Sequence, residues 1–297
     1  MVKTYFDNII SRIEEEHPNE PEFKNEARSV ITSLSPVFEE NNLLIYNATL
    51  EHIIEQDRMI DLVSPMSIHP LTSHTSQESS HGLVYFMKEM LLDKKIKLAG
   101  KTAIVSGSDS YSLHVMNKLK ALGVKVLACS DEEGAIHDPY GLDLDLIAKI
   151  KSHSKTSLGL YLMTYPDAIY IKNPSALWHI PSDIAMACTL DTPISIEDAK
   201  KLVKVGCIAL AEGAKLSTSN EIIDYLIGHQ ILFMPLKAVT VAKSFVESRM
   251  QTDSELENMM KEAFESCKLT ASKYGYSNHL SFGANIIGFE RVRQGLS

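Results

Sequence analysis

Small hydroxyl-bearing residues flank a glycine at Ser106-Gly107-Ser108-Asp109-Ser110, between an apolar run over 102–106 and a helical stripe of Leu113, Met116, Leu119 and Leu122. A second apolar run over 124–129 follows Gly123 and ends in Ser130-Asp131. Strand, tight turn, helix, strand and acid make the layout of a mononucleotide-binding βαβ unit. Its chemistry is recognition: turn N–H groups and a helix N-terminus hold phosphate oxygens, and the acid accepts from an adenosine ribose. Asp109 sits where the phosphates would approach, and a short acid there reads better as the cap of the following helix than as a ligand. Asp131 reads equally as a ribose acceptor or as a solvent-exposed turn residue.

Two other groups have side chains capable of chemistry. His69, His74 and His81 fall in a Ser/Thr/Pro-rich stretch over 64–81 that reads as a linker, which offers no preorganised metal geometry. Cys129, Cys188, Cys207 and Cys267 are far apart and lack metal-ligand spacing, so they read as reduced thiols, three of them in apolar runs. No metal site is expected.

The elements that must position the turn follow from periodicity. Helical stripes (Val2, Phe6, Ile9, Ile10, Ile13; Phe23, Ala27, Val30, Ile31, Leu34; Leu50, Ile53, Ile54) fill residues 1–62. A helix resumes over 82–92. Beyond the central unit, helices are predicted over 142–150, 158–163, 195–206 and 219–227, and strands over 168–171, 183–188, 207–211 and 231–234. Ser195 opens its helix with an acid three residues on, and Gly206 closes it. Helices then dominate through Phe264 and Cys267 and again over 286–292. This alternation predicts an α/β fold: a Rossmann-like, doubly wound, mostly parallel sheet with a reduced helical second unit formed by both termini. The expected division is an N-terminal helical segment over 1–63, a linker over 64–81, a nucleotide-binding-type domain over 82–262 and C-terminal helices over 263–297.

At 297 residues, 44% hydrophobic and 23% charged, the chain is long enough for a substantial core. A formal charge of −9 argues against nucleic acid or an anionic membrane as partner. The first residues lack an uninterrupted apolar stretch and no run approaches a membrane span, so a cytoplasmic setting is expected.

The central unit, the runs ALWHIPSDIAMACT, LVKVGCIALAEGAKL and SFGANIIGF, and the N-terminal PNEPEFKNEA, SLSPVFEE, DRMIDLVSP and GLVYFMKEML resemble glutamate dehydrogenases of the hexameric NADP-type group. The resemblance implies an enzyme that interconverts L-glutamate and 2-oxoglutarate with NAD(P). The departures from it oppose that activity. The family's segment bearing a catalytic lysine in a glycine-rich run, further lysines for the substrate carboxylates and a catalytic aspartate is replaced between Pro65 and Gly82 by the Ser/Thr-rich stretch. No catalytic residue is therefore assigned.

In the family's G-x-G-x-x-A turn the matching positions are Gly107, Asp109 and Ser112, and the second glycine exists so that the backbone can approach the pyrophosphate. Two unit charges ~4 Å apart repel by about 4 kcal/mol at an effective dielectric of about 20 and about 1 kcal/mol in water, so NAD(P) binding is expected to be weakened. The family's A-T-Q-N loop becomes Thr189-Leu190-Asp191-Thr192, the asparagine of its A-E-G-A-N motif becomes Lys215, and its N-A-G-G-V stretch becomes Thr240-Val241-Ala242-Lys243-Ser244. The threonine near the nicotinamide becomes Ser79. Positions that fill the interior or turn the chain match: Ile180, Pro181, Asp183, Gly213, Pro235, Gly283, Ala284, Asn285 and Gly288.

The expectation is thus a glutamate-dehydrogenase-like pseudoenzyme that acts by binding a partner or as a regulatory subunit, as a dimer or in a mixed assembly with a full-length glutamate dehydrogenase. The alternatives are a nucleotide-sensing domain and an active NAD(P)-dependent dehydrogenase. The degenerate cofactor site is Ser79, Ser106, Gly107, Ser108, Asp109, Ser110, Ser130 and Asp131.

Overall fold

The structure, a computed structural model, describes residues 2–40, 46–51, 73–153, 156–189, 194–214, 218–239, 241 and 252–296. The chain divides into two compact units: one of Leu71–Leu236 and Gln251–Lys261, the other of Met1–Pro70, Lys237–Met250 and Glu262–Ser297.

The first unit is built on a seven-stranded sheet. Its strands are β1 (Thr102–Ser106), β2 (Lys125–Ser130), β3 (Ala135–His137), β4 (Ile169–Ile171), β5 (Ile184–Ala187), β6 (Ala209–Glu212) and β7 (Leu232–Met234), in the order β4-β3-β2-β1-β5-β6-β7. Strands β2, β1, β5, β6 and β7 are parallel, joined by helical crossovers. They are short apolar runs: Ala103, Ile104 and Val105 of β1 and Ile184 to Ala187 of β5 are all buried, as expected of strands covered on both faces. Strands β3 and β4 are antiparallel additions at one edge, and β3 is an element that the alternation did not predict. Three residues are too few to carry a period. The β1/β5 start is locked by Asp183, whose carboxylate accepts from Thr102 N at 2.8 Å and Thr102 Oγ1 at 2.9 Å.

Residues 73–81 correct the expected linker. One helix, α3, runs Ser73–Asp93 and includes them. Ser80, Leu83, Val84, Met87, Met90 and Leu91 are buried along one face, and Tyr85 and Phe86 are buried as well, so the helix is covered nearly all round over 82–87. Ser80 holds a core-facing position despite its polarity because its hydroxyl donates to Gln77 O at 2.7 Å. Over 158–163 the predicted helix is a 3-10 helix, with a second at Pro174–His179.

In the second unit α1 (Val2–Glu16) and α2 (Pro21–Glu40) pack with a helical stretch over 46–51 and with the C-terminal helix Leu280–Leu296. Phe6, Ile9, Ile13, Val30, Ile31, Leu34, Phe38, Tyr46 and Leu50 form one buried cluster with Ile286 and Phe289, so both termini share a core. Ile53 and Ile54 lie outside the described residues. Asn285, fully buried, donates from Nδ2 to Ser33 Oγ at 3.1 Å.

Candidate functional site

Strand order reverses between β1 and β5, and in such sheets ligands bind in the crevice at the carboxyl ends of the strands at that point. Ser106 and Gly107 close β1 there, and Cys188 and Thr189 follow β5. Ser106 is fully buried, and its Oγ accepts from Cys188 N at 2.9 Å and Thr189 N at 3.3 Å. It thereby ties the two strand ends together. Gly107 takes φ +94°, a conformation that favours glycine. Its N–H donates to Ser130 Oγ at 3.3 Å. The space beside its Cα is filled: an added Cβ would collide with the Ser112 hydroxyl, which donates to Ser106 O at 3.4 Å. Ser108 is buried, whereas Asp109 and Ser110 are exposed.

Asp109 is the N-cap of α4 (Ser110–Ala121), with extended backbone and Oδ1 accepting from Ser112 N at 2.8 Å. The cap reading of Asp109 is the observed one. It places a carboxylate on a first-turn N–H that a phosphate oxygen would otherwise take.

Asp131 departs from the exposed-turn reading, because it is only 5% exposed. Its Oδ1 accepts from Glu133 N and Gly134 N, both at 3.0 Å. Its Oδ2 accepts from Lys151 Nζ at 3.1 Å and Leu158 N at 3.2 Å. A carboxylate offers about four lone-pair directions, and here all are taken by the chain itself. Lys151 was invisible as a partner because it lies 20 residues further on, in the last turn of α5 (Leu144–Lys151). The local half of the arrangement was readable, since an acid followed by glycine three residues on is an Asx-type turn. A separate set of hydrogen bonds involves the 3-10 helix that begins at Leu158: Tyr161 Oη donates to Asp138 Oδ2 at 3.1 Å and accepts from Asp143 N at 2.8 Å. Tyr165 Oη donates to Asp143 Oδ2 at 2.8 Å. Burial, followed by the Asp138 hydrogen bond, holds the Tyr161 phenol well above its ordinary value, although the Asp143 N–H pulls the other way.

Where α3 packs on α4, Lys118 is 8% exposed, donates to Asp253 Oδ2 at 2.6 Å and lies 4.3 Å over the Tyr85 ring. Tyr85 Oη also donates to Asp253, and His81 Nδ1 stands 3.4 Å from Asp253 Oδ1. Burial pushes the Asp253 carboxyl up, but the Lys118 and Tyr85 hydrogen bonds with the lysine charge leave it below its ordinary value. Burial and then the Lys118 charge lower His81. Ser79 Oγ, Tyr111 Oη and His114 Nδ1 are buried with no hydrogen-bond partner among the described residues. Of the three histidines, His69 and the His74 side chain lie outside the described residues, as do residues 190–192, Lys215, Thr240 and 242–244. No cluster of three metal-ligating side chains occurs among the described residues. All four cysteines are buried and free; burial pushes Cys207 and Cys267 up to about 12 and Cys129 and Cys188 higher still. Thiols held so far above neutrality are not nucleophiles.

The turn as built does not fit a dinucleotide pyrophosphate. Ser112 fills the cradle beside Gly107, Asp109 engages the Ser112 N–H and adds like charge, and Asp131 has no acceptor left for a ribose hydroxyl. Lys118 and Lys151 are each hydrogen-bonded to a carboxylate of the chain itself.

A mostly parallel seven-stranded sheet with a strand-turn-helix at its switch point defines a Rossmann-type α/β protein. Residues 73–296 match the model of the Glutamate/Leucine/Phenylalanine/Valine dehydrogenase family, and the chain belongs to that family. It is 31% identical over 235 residues to the NADP-specific glutamate dehydrogenase of Helicobacter pylori, covering 73% of this chain and 52% of the relative. The chain thus spans about half the length of the curated relatives it matches. A glutamate dehydrogenase from Plasmodium falciparum superposes with a TM-score of 0.79 at 21% identity, over 99% of this chain and 94% of that one. A leucine-bound hetero-hexameric glutamate dehydrogenase from Thermus thermophilus gives 0.58 at 16% identity, over 74% and 52%.

Proposed function

We propose that this chain is a glutamate-dehydrogenase-like protein that does not turn over an amino acid and works through assembly, as a dimer or as a subunit beside a full-length glutamate dehydrogenase in the cytosol. The observation that carries the reading is Asp131: the acid placed to meet a ribose is buried and donated to by four groups of its own chain. The missing lysine-bearing segment between Pro65 and Gly82, implied by the family resemblance, points the same way. The hetero-hexameric description of the Thermus thermophilus structure supports a family framework that accommodates unlike subunits. Membership in a dehydrogenase family alone favours oxidative deamination, and no group described in the crevice would carry its proton transfers.

The test is direct. Purified protein with L-glutamate and NAD or NADP should give no growth of the reduced-cofactor absorbance, and tagged protein should enrich full-length glutamate dehydrogenase from its own source. Saturable, glutamate-dependent cofactor reduction by the purified chain overturns the reading.

A further inference from the structure

We propose that the Asp109 carboxylate and the Ser112 hydroxyl are built-in occupants of the anion cradle at the switch point, so that removing them opens a dinucleotide-phosphate site. The proposal rests on the reading of the chain as a non-catalytic framework and names what closes its cleft. Three observations meet in one turn. Gly107 keeps the positive φ of a phosphate-binding turn, although the Ser112 hydroxyl stands where that glycine leaves room. Asp109 Oδ1 accepts from Ser112 N at 2.8 Å, the same class of first-turn donor that a phosphate oxygen uses. Tyr111, next but one, has a buried hydroxyl with no partner among the described residues, and burial, with the Asp109 charge adding to it, holds that phenol well above its ordinary value.

The chemistry of the ligand follows from what stays engaged. Asp131 remains bound to Lys151 and three backbone N–H groups, so an opened site would recognise the diphosphate rather than the adenosine ribose. NADH and ADP-ribose, which share the diphosphate, should then both bind, and adenosine should not compete with either.

The experiment measures NADH binding by fluorescence and ADP-ribose binding by calorimetry on the full-length chain, for wild type, Asp109→Gly/Ser112→Ala and Asp109→Ser. Glycine and serine are both acceptable N-caps, and Asp109→Ser keeps the cap while removing only the charge. Wild type should not saturate below millimolar ligand. The double variant should bind both ligands at least tenfold more tightly, and Asp109→Ser should gain several-fold, which keeps the test decisive if the double variant does not fold. Folded variants that bind no more tightly than wild type overturn the proposal, as does micromolar binding by wild type. Glutamate turnover by wild type would instead refute the non-catalytic reading, so the two failures are distinguishable.

Discussion

Asp131 shows how one side chain changes meaning between sequence and fold. After a strand it reads as a ribose acceptor or a surface turn, yet its side chain is 2% exposed and its partner Lys151 is 16% exposed. Breaking a buried ion pair by removing one partner typically costs about 3–5 kcal/mol, because the other charge is left uncompensated. Asp131→Ala should therefore destabilise the chain by about that amount in urea unfolding, and Asp131→Ala with Lys151→Met should recover part of the loss. A change below about 0.5 kcal/mol would restore the surface reading. Asp109 was more legible. A short acid four residues before a helical stripe has one strong local use, and the cap bond is local.

At the scale of elements, local signals did well where partners are close in sequence. Ser195 accepts from Asp198 N at 3.2 Å while Asp198 Oδ2 accepts from Ser195 N at 3.1 Å, so the capping box is reciprocal. Gly206 takes φ +84° at the C-cap. They did poorly where a tertiary neighbour decides. The polar residues 77–81 read as linker because serine and glutamine carry no period, whereas they are helical, with Ser80 buried and His81 beside Asp253, a residue 172 positions away. Gly283 is a second such case. A Cβ there would drive into the Cys267 carbonyl, so the helix Leu280–Leu296 must pass that close to the backbone of the helix Asp253–Lys273. Gly283→Ala should cost about 1–3 kcal/mol, the range for overpacking a filled interior, read as a lower denaturant midpoint with an unchanged m-value.

The pH response belongs to the molecule as a whole. Burial lowers His81, with the Lys118 charge adding to it, and burial also lowers His137 against the pull of Asp138. A histidine depressed in the fold takes up its proton more readily when unfolded, whose value is about 6.5. Stability should therefore be full above that pH and fall as pH drops from it toward the folded values. Asp253, also depressed, adds loss at lower pH as it is protonated below the ordinary carboxylate range. The melting temperature at constant ionic strength should decline below about pH 6.5, and His81→Gln with His137→Gln should flatten that decline. An unchanged slope in the double variant would remove these histidines as its cause.

Periodicity, caps and turn glycines lie within a few residues of one another, so the strand-turn-helix order and the helices of both termini could be read directly from the chain. What depended on tertiary structure was the use of each polar group. Asp131 with Lys151, Ser106 with Cys188 and Lys118 with Asp253 are 20, 82 and 135 residues apart. A carboxylate's role is set by whichever donors the fold brings to it, and distance along the chain carries no record of that.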